Sequence, residues 1–505
     1  MCDRCNPTRP ASFACDDIWR TGGTSRRQFL KSGAGIAAGG GAAQMLLTGT
    51  ALAQGTGTAS SDPELGRVQG QRRILLKGGV VLTLDPRVGD FPQADVLIED
   101  GKIREIRPNI AVSEDAVAVI DAANRVVIPG FVDTHSHSYQ GLLRNILVSG
   151  LFNPDYNRDI QTTLTPAYQA ADAYAGILVT ALGMIDMGTT AMVDISQVSH
   201  SPEHSDACIR ALQESGIRAV YAYHRGAGPA AQYPQDIKRL QRTYFSSKDQ
   251  LLTLALTANL NANVFALARE VGVPVVQHLV GNDLSPQLME LGRAGLLRPG
   301  DEYIHCLGIN DAAWRLIKDS GGQVSICAPI DMAMGHGLPA IQEALDHGLR
   351  PSLSSDHGVA IAQDFFTVMR STTPCSGCSF CSARARGSRT CRRCSAAGTC
   401  SNSPRSRARA APNLDGKVGS LTPGKEADIV MLRTDRLDVW PLNNAPMAVV
   451  NMMNPSHVDT VFIAGKAKKW RGNLVGVDVA RVLRLVAEAR DAVLRRAGYQ
   501  MNLLG

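Results

Sequence analysis

Apolar and polar positions along this chain fall into two rhythms. Short, β-branched apolar runs recur at residues 126–134, 189–194, 219–223, 251–258, 273–278, 303–305, 323–327 and 351–355. Between them lie longer stretches with apolar residues at helical spacing, such as 166–187 and 312–318. Strand and helix in regular alternation predict an α/β fold whose eight parallel strands close into a (β/α)8 TIM barrel. The helix over 166–187 is expected to start with Thr165 as N-cap and Pro166 in its first turn, where a missing N–H costs nothing.

The two chain ends read differently. Strands are predicted at 74–77, 80–84, 94–99 and 102–106, the last two joined by the Asp100-Gly101 hairpin turn. Further strands are predicted at 427–432 and 460–464. An amphipathic helix over 479–497 follows, with Asp478 as N-cap and Gly498 as its stop.

A length of 505 residues accommodates one large barrel and a satellite domain. No apolar run is long enough to span a bilayer, so no stable membrane anchor is expected. The formal net charge of +6 is misleading, because residues 371–412 hold eight arginines and no acid. With those eight set aside the charge is −2, which leaves no general basic face for nucleic acid. Half of the twelve cysteines (375, 378, 381, 391, 394 and 400) fall in the same window. Cys208, Cys306 and Cys327 lie among the barrel strands, where small buried thiols are common.

The chemistry gathers at strand ends. Val126-Val-Ile-Pro-Gly-Phe-Val-Asp-Thr-His135-Ser-His137 turns from apolar to polar at Asp133 and ends in two histidines one residue apart. In a strand such residues point to the same side, a geometry suited to gripping a metal ion. His278 ends the fifth run, His305 the sixth, and Asp356 the eighth. Singly, each also reads as a core histidine or a capping aspartate. Together they occupy the face where barrel enzymes do their chemistry.

The stretch Pro129-Gly-Phe-Val-Asp-Thr-His135-Ser-His137 resembles the first-strand motif of the amidohydrolase superfamily. The branch it resembles most holds the triazine hydrolases and the cytosine and guanine deaminases, and the likeness runs from about residue 74 to 475. It implies a metal-dependent (β/α)8 barrel with a composite β-sandwich built from both chain ends. It also implies that His135, His137, His278 and Asp356 hold one divalent metal, zinc first, with iron, manganese or cobalt as alternatives. Asp356 would take a proton from the attacking water, and His305 would stabilise developing charge. The expected reaction is hydrolysis of a non-peptide C–N bond in a small, cyclic or heteroaromatic molecule. Removal of chloride or alkylamine from such a ring uses the same constellation. Two-metal members carry a lysine on the fourth strand, absent here, so one metal is expected. Deaminases have His-x-x-Glu on the fifth strand, whereas this chain has His278-Leu-Val-Gly281, which puts purine or pyrimidine deamination in doubt.

Two stretches stand apart. Ser25-Arg26-Arg27-Gln-Phe29-Leu30-Lys31, followed by a Gly/Ala-rich stretch and Ala51-Leu-Ala53, resembles a twin-arginine export signal. It implies passage through the twin-arginine export machinery, cleavage after Ala53 and a periplasmic or secreted enzyme. Residues 371–412 lose all apolar periodicity. Their Cys-x-x-Cys spacings fit a metal or iron–sulfur module. A frameshift between two compensating indels accounts for them better, because the family pattern resumes at Asn413, and it would leave an impaired homologue if the chain tolerates it poorly. The expected organisation is signal 1–53, linker 54–70, sandwich 71–127, barrel 128–370, shifted segment 371–412, sandwich 413–475 and a terminal helix 476–505. A homo-oligomer is left open.

Overall fold

The junction between the two layers lies at Gly130. The run predicted as one strand over 126–134 is two strands, Arg125–Pro129 and Phe131–Ser136. The first belongs to the outer sheet and the second to the barrel. A Cβ on Gly130 would lie 2.1 Å from Thr190 Oγ1. Only glycine lets the backbone pass so close to the neighbouring strand.

The computed structural model describes residues 62–113, 115–247, 249–372, 414 and 416–503. The expected signal region, residues 54–61 of the expected linker and residues 373–412 of the cysteine-rich window lie outside these residues. The barrel strands are Phe131–Ser136, Thr189–Ser196, Arg218–Tyr223, Leu252–Thr257, Val275–His278, Glu302–Ile304, Gln323–Ile326 and Ser352–Leu353. They form one parallel eight-stranded sheet in chain order. Its two ends meet just past the last strand. Asp356 N donates to the His135 carbonyl at 2.9 Å, and His137 N donates to the Asp356 carbonyl at 2.7 Å. Barrel closure and candidate chemistry thus share the same residues.

A second sheet of nine strands draws on both chain ends. Ile429–Arg433 pairs antiparallel with Arg125–Pro129 and stitches the late strands to the early ones. Its inner faces bury Ile74, Leu76, Val96, Ile98, Val127, Ile429 and Phe462. Arg218, on the third barrel strand, reaches across to this sheet. Its guanidinium donates two bonds of 2.9 Å to Asp428 and one of 3.3 Å to Glu426, and both Arg218 and Asp428 are buried.

Two local expectations are corrected. The first long barrel helix spans Ala170–Asp186, not 166–187. Pro166 instead opens a short 3-10 turn, Thr165–Ala167, and Tyr168 is extended, so the helix restarts behind a capping box of Gln169 and Asp172. Pro63–Gly70, expected as linker, is an α-helix. Asp62 caps it, Leu65 and Val68 are buried, and Trp470 Nε1 donates to Asp62 Oδ2 at 2.7 Å. Val479–Ala497 forms the expected terminal helix, capped by Asp478 and stopped at Gly498 with φ +62°. Among the described residues, no helix is long and apolar enough to cross a membrane.

Candidate metal centre

Three imidazoles meet at the C-terminal mouth of the barrel. His135 Nε2 lies 3.1 Å from His137 Nε2 and 3.1 Å from His278 Nε2. Asp356 Oδ1 lies 3.6 Å from His135 Nε2 and 3.5 Å from His137 Nε2. The first two histidines share a strand face, His278 ends the fifth strand, and Asp356 is held by the closing bonds. Asp356 and His305 adopt left-handed backbone conformations, φ +62° and +64°, which cost energy for residues with a Cβ and recur at functional sites.

The donor set fits a divalent cation. Burial drives His135, His137 and His278 well below the usual histidine range, so each keeps a bare lone pair. The tautomer of His137 follows from its neighbour. His135 Nδ1 meets Cys327 Sγ at 3.1 Å, and His137 Nδ1 faces the Ile195 carbonyl at 3.4 Å. A carbonyl only accepts, so His137 carries its proton on Nδ1 and leaves Nε2 bare, and the three Nε2 atoms converge. Lone pairs packed this closely repel unless a cation sits among them, and metal–nitrogen bonds of about 2.0–2.1 Å reproduce such a spacing. Burial pushes Asp356 up to about 7, with His305 working against it; a cation would favour its ionised form.

The remaining groups support this cluster. His305 Nδ1 donates to Asp331 Oδ1 at 2.8 Å, and its Nε2 lies 3.9 Å from Asp356 Oδ2. Burial alone would lower His305, but the Asp331 carboxylate outweighs it and holds the imidazole above its ordinary value. Asp133 accepts from the backbone N–H groups of His135 at 3.2 Å and Ser355 at 3.1 Å, and from the Ser355 hydroxyl. It thereby clamps the first strand to the eighth beside Asp356. Burial pushes Asp133 and Asp194 to about 6.

The amidohydrolase family model matches residues 126–468. The chain belongs to the amidohydrolase family. It is therefore a hydrolase, and its barrel is the family's. A 5'-deoxyadenosine deaminase of Methanosarcina mazei is 24% identical over 84% of this amidohydrolase and 99% of the relative. A 5-methylthioadenosine/S-adenosylhomocysteine deaminase of Caldicellulosiruptor saccharolyticus is 24% identical over 81% and 96%. Among solved structures, atrazine chlorohydrolase from Arthrobacter aurescens complexed with zinc aligns with TM-score 0.71 and 17% identity over 83% of this chain and all of that one. An adenosine deaminase from Xanthomonas campestris with bound zinc aligns at 0.68 and 19%, over 84% and 98%.

All five candidate residues, His135, His137, His278, His305 and Asp356, come together. Asp331 and Cys327 join them without any expectation from sequence. Gly281 has φ +97° and open space around it, so a glutamate there would be strained as well as absent. Other histidines near the strand ends divide, and one of them, His204, lies in the helix Pro202–Ser215. His200 and His204 bond the Thr165 and Tyr168 carbonyls at 2.9 and 3.2 Å and serve the fold. His336 and His357 border the site, where burial lowers them to about 4 and about 3. They lie beside Phe152 and Tyr156, whose hydroxyl accepts from Gln140 at 2.8 Å and Gln161 at 3.0 Å.

Proposed function

We propose that this amidohydrolase cleaves a non-peptide C–N bond of a small heteroaromatic molecule, with one divalent metal held by His135, His137, His278 and Asp356. The observation that carries the reading is the convergence of three Nε2 atoms, 3.1 Å apart around His135, beside Asp356. The deaminase relatives support the bond type. A divalent ion there, zinc by the nitrogen-rich donor set, supplies the Lewis acidity that makes water a nucleophile at neutral pH.

The chain's own groups do the rest. Asp356 Oδ1 faces the histidines, and Oδ2 faces His305. Asp356 takes the proton of the attacking water and returns it to the departing nitrogen. His305, fixed by Asp331, turns Nε2 toward the same space and steadies the charge that develops on the substrate. With no carboxylate at Gly281, Asp356 and His305 are the groups proposed to supply a proton to a ring nitrogen. Burial of His135, His305 and Asp356 excludes bulk water.

Metal content per chain is the first test, on the wild type and on a His135→Ala, His137→Ala double variant. Zinc-loaded enzyme is then given amino-, alkylamino- and chloro-substituted purines, pyrimidines and triazines beside acyclic amides. About one ion in the wild type, near none in the variant, and metal-dependent release of ammonia or amine from a ring would support the reading. Equal metal in both proteins, or a loaded enzyme that releases nothing, would sink it. Chloride release alone would replace it with ring dechlorination. We also propose export of the folded enzyme, on the motif around Arg26 and Arg27. Replacing both with lysine should leave the enzyme in the cytoplasm, and unchanged export would overturn the assignment.

A further inference from the structure

His357 follows Asp356 and is 1% exposed, yet neither ring nitrogen has a hydrogen-bond partner outside its own residue. Leaving buried polar groups unpaired is costly, and native proteins seldom do it without a ligand or water to complete the bonds. The ring is one end of a run of aromatic faces. It stacks on Tyr156 with centroids 5.0 Å apart and planes 18° apart. Tyr156 stacks on Phe152 at 5.9 Å and 21°. Phe152 lies 4.9 Å from His336, and His336 lies 5.6 Å from His305.

We infer that Phe152, Tyr156, His336 and His357 form a subsite for a planar nitrogen heteroaromatic ring, with His357 hydrogen-bonding the ring's edge. The inference rests on the metal cluster being the reacting centre. A ring slipped between two stacked faces needs centroids about 7 Å apart. The observed spacings are shorter, so the stack acts as one wall, and the ligand lies across it in the space shared with His305 and Asp356. The two unpartnered ring nitrogens of His357 face no protein group, and an imidazole can both donate and accept, which matches the mixed donor and acceptor edge of a ring amide or amidine. A saturated or acyclic amide of similar polarity has no aromatic face to set against the ring edges that the stack presents.

The test uses the zinc-loaded, full-length protein and calorimetric binding of four probes: pyrimidin-4-one, hypoxanthine, acetamide and N-methylurea. The two ring probes are expected to bind at least about tenfold more tightly than the acyclic pair. His357→Phe keeps an aromatic face against Tyr156 and removes both nitrogens. It is expected to keep its metal and to weaken ring binding by about tenfold, while His357→Gln recovers part of the loss. Wild-type ring affinity in a metal-retaining His357→Phe protein would overturn the subsite, as would a wild type that binds all four probes alike. If His357→Phe fails to fold or load metal, Tyr156→Leu and His336→Leu read the same wall, and unchanged ring binding in either overturns it. Ring binding without C–N cleavage would leave the subsite standing and sink the proposed reaction. Cleavage of acyclic amides, indifferent to His357→Phe, would do the reverse.

Discussion

Asp331 acts on the site through His305. Its carboxylate accepts the Nδ1 proton at 2.8 Å and so decides that Nε2 is the nitrogen turned toward Asp356. Groups that orient an active-site imidazole in this way are commonly worth about 10–100-fold in activity. Asp331→Ala should lower kcat by about that factor, with KM and metal content nearly unchanged. Asp331→Asn, whose amide oxygen accepts the same proton, should restore part of it. Wild-type kcat in the alanine variant, or metal lost in step with activity, would contradict this role. Asp331 is not legible in the sequence because Pro329-Ile330-Asp331 reads as the start of a helix, which it also is. Cys327 reads as a core thiol for a similar reason. His336 and His357 sit in loops, where no periodicity shows which way a side chain faces. The five candidates were legible because each ends an apolar run, and the first two lie within a motif.

Elements are legible where burial imposes a period and less so where the chain changes sheets. Every barrel strand was anticipated to within a few residues, because strands covered on both faces are continuously apolar. The split at Gly130 was not, since both halves are apolar and only the close approach to Thr190 distinguishes them. Gly130→Ala should therefore cost about 1–3 kcal/mol or more through overpacking, read as a lower denaturant midpoint at unchanged slope. Pro166 gave a false helix start because the first turn it opens is abandoned at Tyr168. The Arg218 to Asp428 pair joins the third barrel strand to the outer sheet, and sequence spacing gives no hint of it across more than two hundred residues. Removing only the arginine leaves a buried carboxylate without its cation. Arg218→Met should cost about 3–5 kcal/mol, and a loss below about 1 kcal/mol in chemical denaturation would show that Ala464 N, which donates to Asp428 at 2.8 Å, suffices.

At the scale of the whole molecule, the histidine cluster bears on stability as well as on the proposed chemistry, and pH exposes the connection. His135, His137, His278, His336 and His357 all sit below the ordinary histidine value in the folded chain. Between about pH 6.5 and their lower folded values, each is neutral when folded and protonated when unfolded, so unfolding takes up protons and acid favours it. Asp133, Asp194 and Asp356 work in the opposite sense, because their raised values let the folded chain bind protons that the unfolded chain has released. His200, His204 and His224 are lowered too, and Asp172 and Asp301 raised, so eight groups against five leave a net uptake on unfolding. Metal-stripped protein should therefore lose thermal stability steadily as pH falls from about 6.5 toward 4. A bound cation adds to the folded state by mass action, and that gain should also fade with acid, because only neutral imidazoles bind it. Melting curves at pH 7.5 and 5, with zinc and with chelator, separate the two effects. Chelator should lower the midpoint at pH 7.5, and the difference between the two curves should shrink at pH 5. A metal-free midpoint that rises on acidification would mean the carboxylates dominate, and no zinc effect at pH 7.5 would mean the histidine cluster holds no ion.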